Sequence, residues 1–250
     1  MAIPWTVRRQ LTFFFVFFFI VLVVAILIWV EISTPTCSDK KQNQEEEGID
    51  CGGPCQPCIS HINDLIVQWT KVLKIKEGFY DGVVLIDNPN LSVGIPLLKY
   101  EMKIYDDENA LVGTRRGQTF INPDDKFIII EPNLETQRTP KKVFIEFDKN
   151  IEWKRTDEAK PQIVISGKEF SNNPLPRLTV KIDNKSIFPV EKISVAAILY
   201  DENRNVFAAS TSKLDYIESN SSDEVIMTWP ERFDKTPFLI DVLIKTNLTL

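Results

Sequence analysis

The hydropathy pattern is dominated by one apolar block near the N-terminus. Residues 11–30 read LTFFFVFFFIVLVVAILIWV, and Thr12 is their only clearly polar side chain. A helix of this length rises about 30 Å, which matches the hydrocarbon core of a bilayer. Arg8 and Arg9 precede the block, whereas residues 31–50 carry two lysines and six acids. The positive-inside rule therefore predicts a cytoplasmic tail over residues 1–10, a single transmembrane helix over 11–30 and an extracytoplasmic C-terminal region. A cleaved signal peptide is the alternative, but its apolar region is usually shorter.

From residue 62 onwards the pattern changes to short apolar runs separated by turn residues. Runs such as residues 81–86, 97–105, 127–130 and 143–147 alternate with turns rich in Asn, Asp and Pro. Strands of this length at this spacing are typical of an all-β sandwich. Residues 62–75 fit both a helical and a strand face, and the surrounding strands favour a strand.

An internal repeat divides the β region in two. Ile86-Asp87-Asn88 recurs 96 residues later as Ile182-Asp183-Asn184, and further matches follow in order at offsets of 95–98. We therefore predict two tandem immunoglobulin-like β-sandwiches, over residues 62–155 and 161–250. A shared motif, Tyr105-Asp106 and Tyr200-Asp201, ends a long strand in each copy. We interpret it as architecture, with the tyrosine ring buried at the sandwich end and the aspartate in a hairpin turn.

Residues 31–61 form a cysteine-rich segment beside the predicted anchor. Its cysteines, Cys37, Cys51, Cys55 and Cys58, are the only four in the chain. In an exported segment they favour two disulfides, for which three connectivities are open. A four-thiolate zinc site is the alternative, but it requires reduced thiols.

The same segment resembles a small cysteine-rich motif of exported bacterial and other extracellular proteins, C-x5-N-x2-E-x3-D-C-G-G-x-C-x2-C. The match runs from Cys37 to Cys58, and Gln44 stands where the motif usually has glycine. Asp39, Asn43, Glu46 and Asp50 offer oxygen atoms of the kind that calcium prefers. We interpret these four side chains as turn-forming surface residues and predict no bound metal.

The β region resembles the FxLYD and late-embryogenesis-abundant (water-stress and hypersensitive-response) β-sandwiches. The resemblance rests on Ile198-Leu199-Tyr200-Asp201 and on Lys103-Ile104-Tyr105-Asp106, although the phenylalanine of the motif is absent. Together with the cysteine motif, it implies a membrane-anchored protein of a bacterial cell envelope. It carries over no catalytic residues.

Composition and charge narrow the possible functions. The formal net charge is −6, which argues against nucleic-acid binding. His61 is the single histidine, and no phosphate-binding glycine loop is present. We therefore predict no catalytic residues and no cofactor. The leading hypothesis is a non-enzymatic plasma-membrane protein, held in the lipid bilayer through residues 11–30, whose ectodomain is an interaction or spacer arm with an envelope protein partner. The alternatives are an accessory subunit of a secretion, pilus or wall-building complex and, more distantly, an extracytoplasmic hydrolase.

Overall fold

The computed structural model describes residues 5–33, 37–55, 62–156 and 158–249. The chain forms two compact units that divide between residues 58 and 59. Helix α1 (Trp5–Ser33) dominates the first unit, and its segment Val7–Trp29 is long and apolar enough to cross a membrane. None of that segment is buried by protein. The helix starts before the predicted span, so Arg8 and Arg9 belong to its first turns.

The second unit begins with a module of six antiparallel strands. These form two sheets, one in the order β1-β2-β5 and one in the order β4-β3-β6. A short strand, β7 (Lys154–Arg155), pairs with the start of β3. The six strands are β1 (Ile66–Lys76), β2 (Phe79–Asn88), β3 (Val93–Asp106), β4 (Leu111–Ile121), β5 (Asp125–Glu135) and β6 (Pro140–Phe147). Strand β1 settles the ambiguous segment as a strand.

The second module repeats this arrangement with six further strands. Its sheets run in the orders β12-β9-β8 and β11-β10-β13. The strands are β8 (Ile163–Ser171), β9 (Arg177–Asn184), β10 (Val190–Tyr200), β11 (Val206–Ile217), β12 (Ser222–Thr228) and β13 (Leu239–Lys245). The predicted fold class, an all-β region with one N-terminal helix, is confirmed.

Each module has a hydrophobic core between its own two sheets. The inward residues of β2 and β3, such as Ile86 and Met102, fill the first core, and those of β9 and β10, such as Val180 and Leu199, fill the second. A third apolar cluster joins the modules. It contains Leu73 and Val83 of the first module and Ala209 of the second, and all three are buried. The sheet β1-β2-β5 therefore packs on the sheet β11-β10-β13 of the second module.

Candidate functional site

A disulfide closes the cysteine-rich segment. Cys37 is bonded to Cys55, with the two Cα atoms 5.4 Å apart. Cys51 is disulfide-bonded as well, while Cys58 and His61 lie outside the described residues. Gly52 and Gly53 adopt positive φ, and a Cβ at Gly53 would stand 2.6 Å from the carbonyl oxygen of Glu45. The two glycines between the cysteines therefore meet a backbone requirement of this turn.

The oxygen-bearing side chains of this segment serve its backbone. The Asp50 carboxylate accepts hydrogen bonds from the Lys40 N–H at 2.9 and 3.0 Å. Asp39 accepts one from the Lys41 N–H, and Glu46 Oε2 accepts one from the Asn43 N–H at 3.2 Å. Among the described residues, no group of three or more His, Cys, Asp or Glu side chains is placed to hold a metal ion. Through these hydrogen bonds the acidic side chains stabilise the backbone turns of a very short segment.

The two aspartates of the repeated motif occupy the same structural position. Asp106 Oδ1 accepts a hydrogen bond from the Ala110 N–H at 2.8 Å, and Asp201 Oδ1 accepts one from the Asn205 N–H at 2.8 Å. The other carboxylate oxygen of each contacts a cation of a later loop. Arg138 lies 2.6 Å from Asp106, and Lys235 lies 2.7 Å from Asp201. Each cation lowers the pKa of its aspartate, so both acids are held ionised as parts of the hairpin turns.

The two tyrosines differ from the expected buried rings. Tyr105 and Tyr200 are half-buried and point away from the core, because the residues before them, Ile104 and Leu199, face it. Tyr105 stacks edge-on against Phe144 with ring centroids 5.5 Å apart. Partial burial raises the pKa of Tyr200. The tyrosine of each motif therefore lies on the outer face of its sheet and not in the core between the two sheets.

A second pair of repeated residues lies at the opposite end of the modules. The Nδ2 group of Asn88 donates to the carbonyl oxygens of Val93 and Asn122, and Asn184 Nδ2 donates to those of Phe188, Ile217 and Glu218. Both asparagines are fully buried. Each fixes the loop that follows it, which is β2–β3 in the first module and β9–β10 in the second.

Residues two positions further on connect these loops to the incoming chain. Asn90 Oδ1 accepts a hydrogen bond from the Asn63 N–H at 2.8 Å, and Ser186 Oγ accepts one from the Gln162 N–H at 2.8 Å. The chain therefore enters each module at its asparagine end.

The faces that join the modules are distinguished by their side chains. On the outer face of β2 and β5, Val83 pairs with Ile130. At the equivalent place in the second module Thr179 pairs with Ile226, and Lys181 pairs with Glu224. The first face is apolar and covered, whereas the second is polar and exposed. The same sheet face has thus diverged between the two copies.

The other pair of outer faces shows the reverse pattern. On β10, Ala196 and Ile198 are buried although they point away from their own core. The equivalent residues of β3 are Glu101 and Lys103, and these form ion pairs with Arg116 and Glu146 at 2.6 and 2.8 Å. Each module therefore uses one apolar face for the junction and leaves a polar or charged face outside.

A lysine and the last described residues reinforce the junction. Lys245 Nζ donates to Thr119 Oγ1 at 2.9 Å and lies 4.1 Å from the ring centre of Phe120. Burial lowers the pKa of Lys245 to about 8. Asn122 donates to the carbonyl oxygen of Thr246 and accepts from the Leu248 N–H, which fixes residues 246–248 on the first module.

The predicted membrane-orientation residues lie at the start of α1. Both are exposed, and the Arg9 guanidinium lies 5.5 Å from the ring centre of Trp5 and 5.8 Å from that of Phe13. An arginine beside an aromatic ring is well suited to the interface between the headgroups and the hydrocarbon region.

The predicted site residues that the structure describes thus lie in three separate places: the disulfide-bonded segment, the hairpin turns with the Tyr-Asp motifs, and the start of α1. No family model matches the chain. No curated protein matches it either. The resemblances drawn from the cysteine and Tyr-Asp motifs stay predictions.

Sequence reasoning missed the junction, although a signal was present. Strand β2 contains the unbroken run Val83-Val84-Leu85-Ile86, and β10 contains Val195 to Leu199. A half-exposed strand alternates, whereas a strand covered on both faces reads as a continuous apolar run. These two runs predict the two covered faces.

Proposed function

We propose that this protein is a non-enzymatic, single-pass membrane protein that presents a rigid pair of β-sandwiches outside the cytoplasm to an envelope protein partner. The observation that carries the proposal is the helix segment Val7–Trp29, which is long and apolar enough to cross a membrane and is unburied by protein. A helix of this kind is stable in lipid and costly to expose to water.

Two further observations support the orientation. Arg8 and Arg9 mark the N-terminal end of the helix, and the segment after the helix contains the Cys37–Cys55 disulfide. Disulfides persist in oxidising compartments and are rare in the cytoplasm. Both features support a C-terminal region outside the cytoplasm.

The β region supports a binding role more than a catalytic one. The conspicuous acids Asp106 and Asp201 are engaged by turn amides and by cations. The junction between the modules holds them as one unit, so the ectodomain is a compact body and not a flexible string of domains. A rigid body loses little conformational freedom when it binds a partner.

Topology mapping of the full chain tests the proposal. Membrane-impermeant protease is added to right-side-out and inverted membrane vesicles, and the surviving fragments are identified by mass spectrometry. We expect fragments of the β region to be released only from right-side-out vesicles. In the double variant Arg8→Glu/Arg9→Glu the orientation becomes mixed, because the charge bias is removed. Release of the β region only from inverted vesicles of the unmodified chain would overturn the proposal.

Replacement of the anchor separates the leading function from the accessory-subunit alternative. If residues 11–30 serve only as a tether, an unrelated transmembrane helix of equal length supports the same partner binding. Loss of partner capture after this exchange, with membrane insertion intact, would favour a subunit whose helix packs in a membrane complex.

A further inference from the structure

Three apolar side chains project from the asparagine-end loops of the two modules. Leu91 is 80% exposed and Ile187 is 89% exposed, and the two residues lie 96 positions apart in the repeat. Phe188, beside Ile187, is 47% exposed. Large apolar residues at loop tips are costly to hydrate, and here the same repeat position carries one in both modules.

The surrounding structure holds these loops in place. Asn88 fixes the loop that carries Leu91 through four side-chain hydrogen bonds, two of them to Asn90. Asn184 fixes the loop that carries Ile187, and Ser186 N–H donates to its side-chain oxygen at 2.9 Å. The apolar side chains therefore stand on rigid supports, which reduces the entropy lost when they bind.

Both loops lie at the same end of the second unit. Residues 246–248 follow β13 and line a groove of about 500 Å³ beside Phe188. The same residues bond to Asn122, whose carbonyl oxygen accepts from Asn88. The C-terminal segment thus connects the two asparagine ends directly.

This end is also where the chain enters from the anchor. Asn63 exchanges two hydrogen bonds with Asn90, each of 2.8 Å, immediately before β1. Residues 34–62 are all that lies in sequence between helix α1 and this point. A tether this short keeps the local concentration of bilayer surface high, so that a few apolar side chains suffice for binding.

We infer that Leu91, Ile187 and Phe188 form a bilayer-docking surface that inserts into the headgroup region of the membrane carrying the anchor. The proposal rests on the membrane anchoring put forward above. The occupant is lipid, because the surface consists of apolar loop tips at the tethered end. The charged residues that border its groove, Glu158, Glu191 and Lys192, are two acids and one base, so they form no basic patch that would attract an anionic partner. Apolar insertion is thus the source of binding.

Site-specific photocross-linking in the full chain tests this inference. The photoreactive residue p-benzoylphenylalanine replaces Leu91 or Ile187, and the chain is reconstituted in phosphatidylcholine vesicles. Phe238 and Leu111 are the matched controls, because they are 68% and 55% exposed and lie beside Tyr200 and Tyr105, at the ends of the modules opposite to the asparagine ends. We expect lipid adducts, detected by mass spectrometry, to be at least fivefold more abundant at positions 91 and 187 than at 238 and 111.

A second variant makes the result independent of the reporter position. With the photoreactive residue at Lys185, we expect the change Leu91→Ser/Ile187→Ser/Phe188→Ser to reduce lipid adducts at least threefold. A melting temperature equal to that of the parent chain excludes unfolding as the cause. Equal adduct yields at the two ends, or adducts to protein alone, would overturn the docking surface.

Alkaline carbonate extraction of the same vesicles separates this inference from the proposed function. A chain that remains in the membrane but forms no lipid adduct at position 187 contradicts the docking surface alone. A chain that is extracted into the soluble fraction contradicts the anchor, and the docking surface with it.

Discussion

Asn88 and Asn184, which lie 96 residues apart, perform the same structural task in the two modules. Each is fully buried, and each donates from its side-chain amide to loop carbonyls while its oxygen accepts the N–H of the residue two positions later. A buried amide whose hydrogen bonds are all made stabilises a loop that has no hydrophobic core of its own. This relationship ties the sequence repeat to a physical requirement of the fold.

Removal of either amide is expected to destabilise its module. Asn88→Ala and Asn184→Ala each leave buried carbonyl groups without donors, at a cost of about 3 kcal/mol in the free energy of unfolding. Chemical denaturation of the purified chain measures this cost. Asn203→Ala, at an exposed turn position outside the left-handed backbone region, is the control and is expected to change stability by less than about 0.5 kcal/mol. A loss below about 1 kcal/mol at both buried asparagines would contradict the assigned role.

The divergence of the outer faces predicts that one substitution has a large effect at one position and a small effect at the equivalent position of the other module. Val83→Asp places a charge in the apolar junction and is expected to cost roughly 3–5 kcal/mol. Thr179→Asp, 96 residues later on the polar face, is half-buried and lies opposite Glu169, and it is expected to cost less than about 1 kcal/mol. Thermal denaturation and limited proteolysis of both variants measure the difference. Similar losses in the two variants would mean that the face of β9 is covered as well.

Lys245 predicts a rise in stability with pH. Its pKa is about 8 in the folded chain and close to 10.5 in the unfolded chain, so the unfolded state binds more protons between these values. The free energy of unfolding therefore increases as the pH rises from 8 towards 10. Asp125, whose charge acts on Lys245, is already ionised in that range and does not cancel the effect.

Lys245→Met provides the control for this pH dependence. The variant keeps the length of the side chain but removes the ionisable group, so we expect the rise in stability between pH 8 and 10 to disappear. Urea denaturation at several pH values gives the comparison. Parallel curves for the two proteins would assign the pH dependence to another group.

The disulfide predicts a local loss of structure on removal. Cys37 and Cys55 are separated by 18 residues, and a link across a loop of this length contributes about 3 kcal/mol. In Cys37→Ser/Cys55→Ser we expect residues 37–55 to become sensitive to protease while the β region keeps its melting temperature. Unchanged protease resistance of the segment would show that other contacts hold it.

The sequence predicts the framework of this fold because its signals are local. Turn residues and strand length indicate the β-sandwich pattern, and the repeat brings Asn88 and Asn184 into correspondence without structural knowledge. The position of the tyrosine rings could not be predicted in this way. Which face of β3 and β10 points inward depends on a one-residue register, and Ile104 and Leu199 occupy the core in place of the tyrosines.

The junction and its lysine depend on contacts between residues far apart in the chain. Lys245 meets Thr119 across 126 residues, and no local pattern marks either of them. The unbroken apolar runs of β2 and β10 do indicate strands covered on both faces. They do not indicate that each run covers the other module.

The unequal outer faces explain why a duplicated domain can pack on its own copy without forming a fibre. A head-to-tail contact between identical modules leaves one copy of each contacting face unpaired at the two ends. A third module would bind there, and the molecules would polymerise. Here Glu101 and Lys103 occupy one end and Thr179 and Lys181 occupy the other. The pair of modules therefore presents no apolar outer face to a third copy. A permuted chain with the second module first would fold in the same way only if its new linker let the two apolar faces meet; otherwise both would be left exposed to solvent.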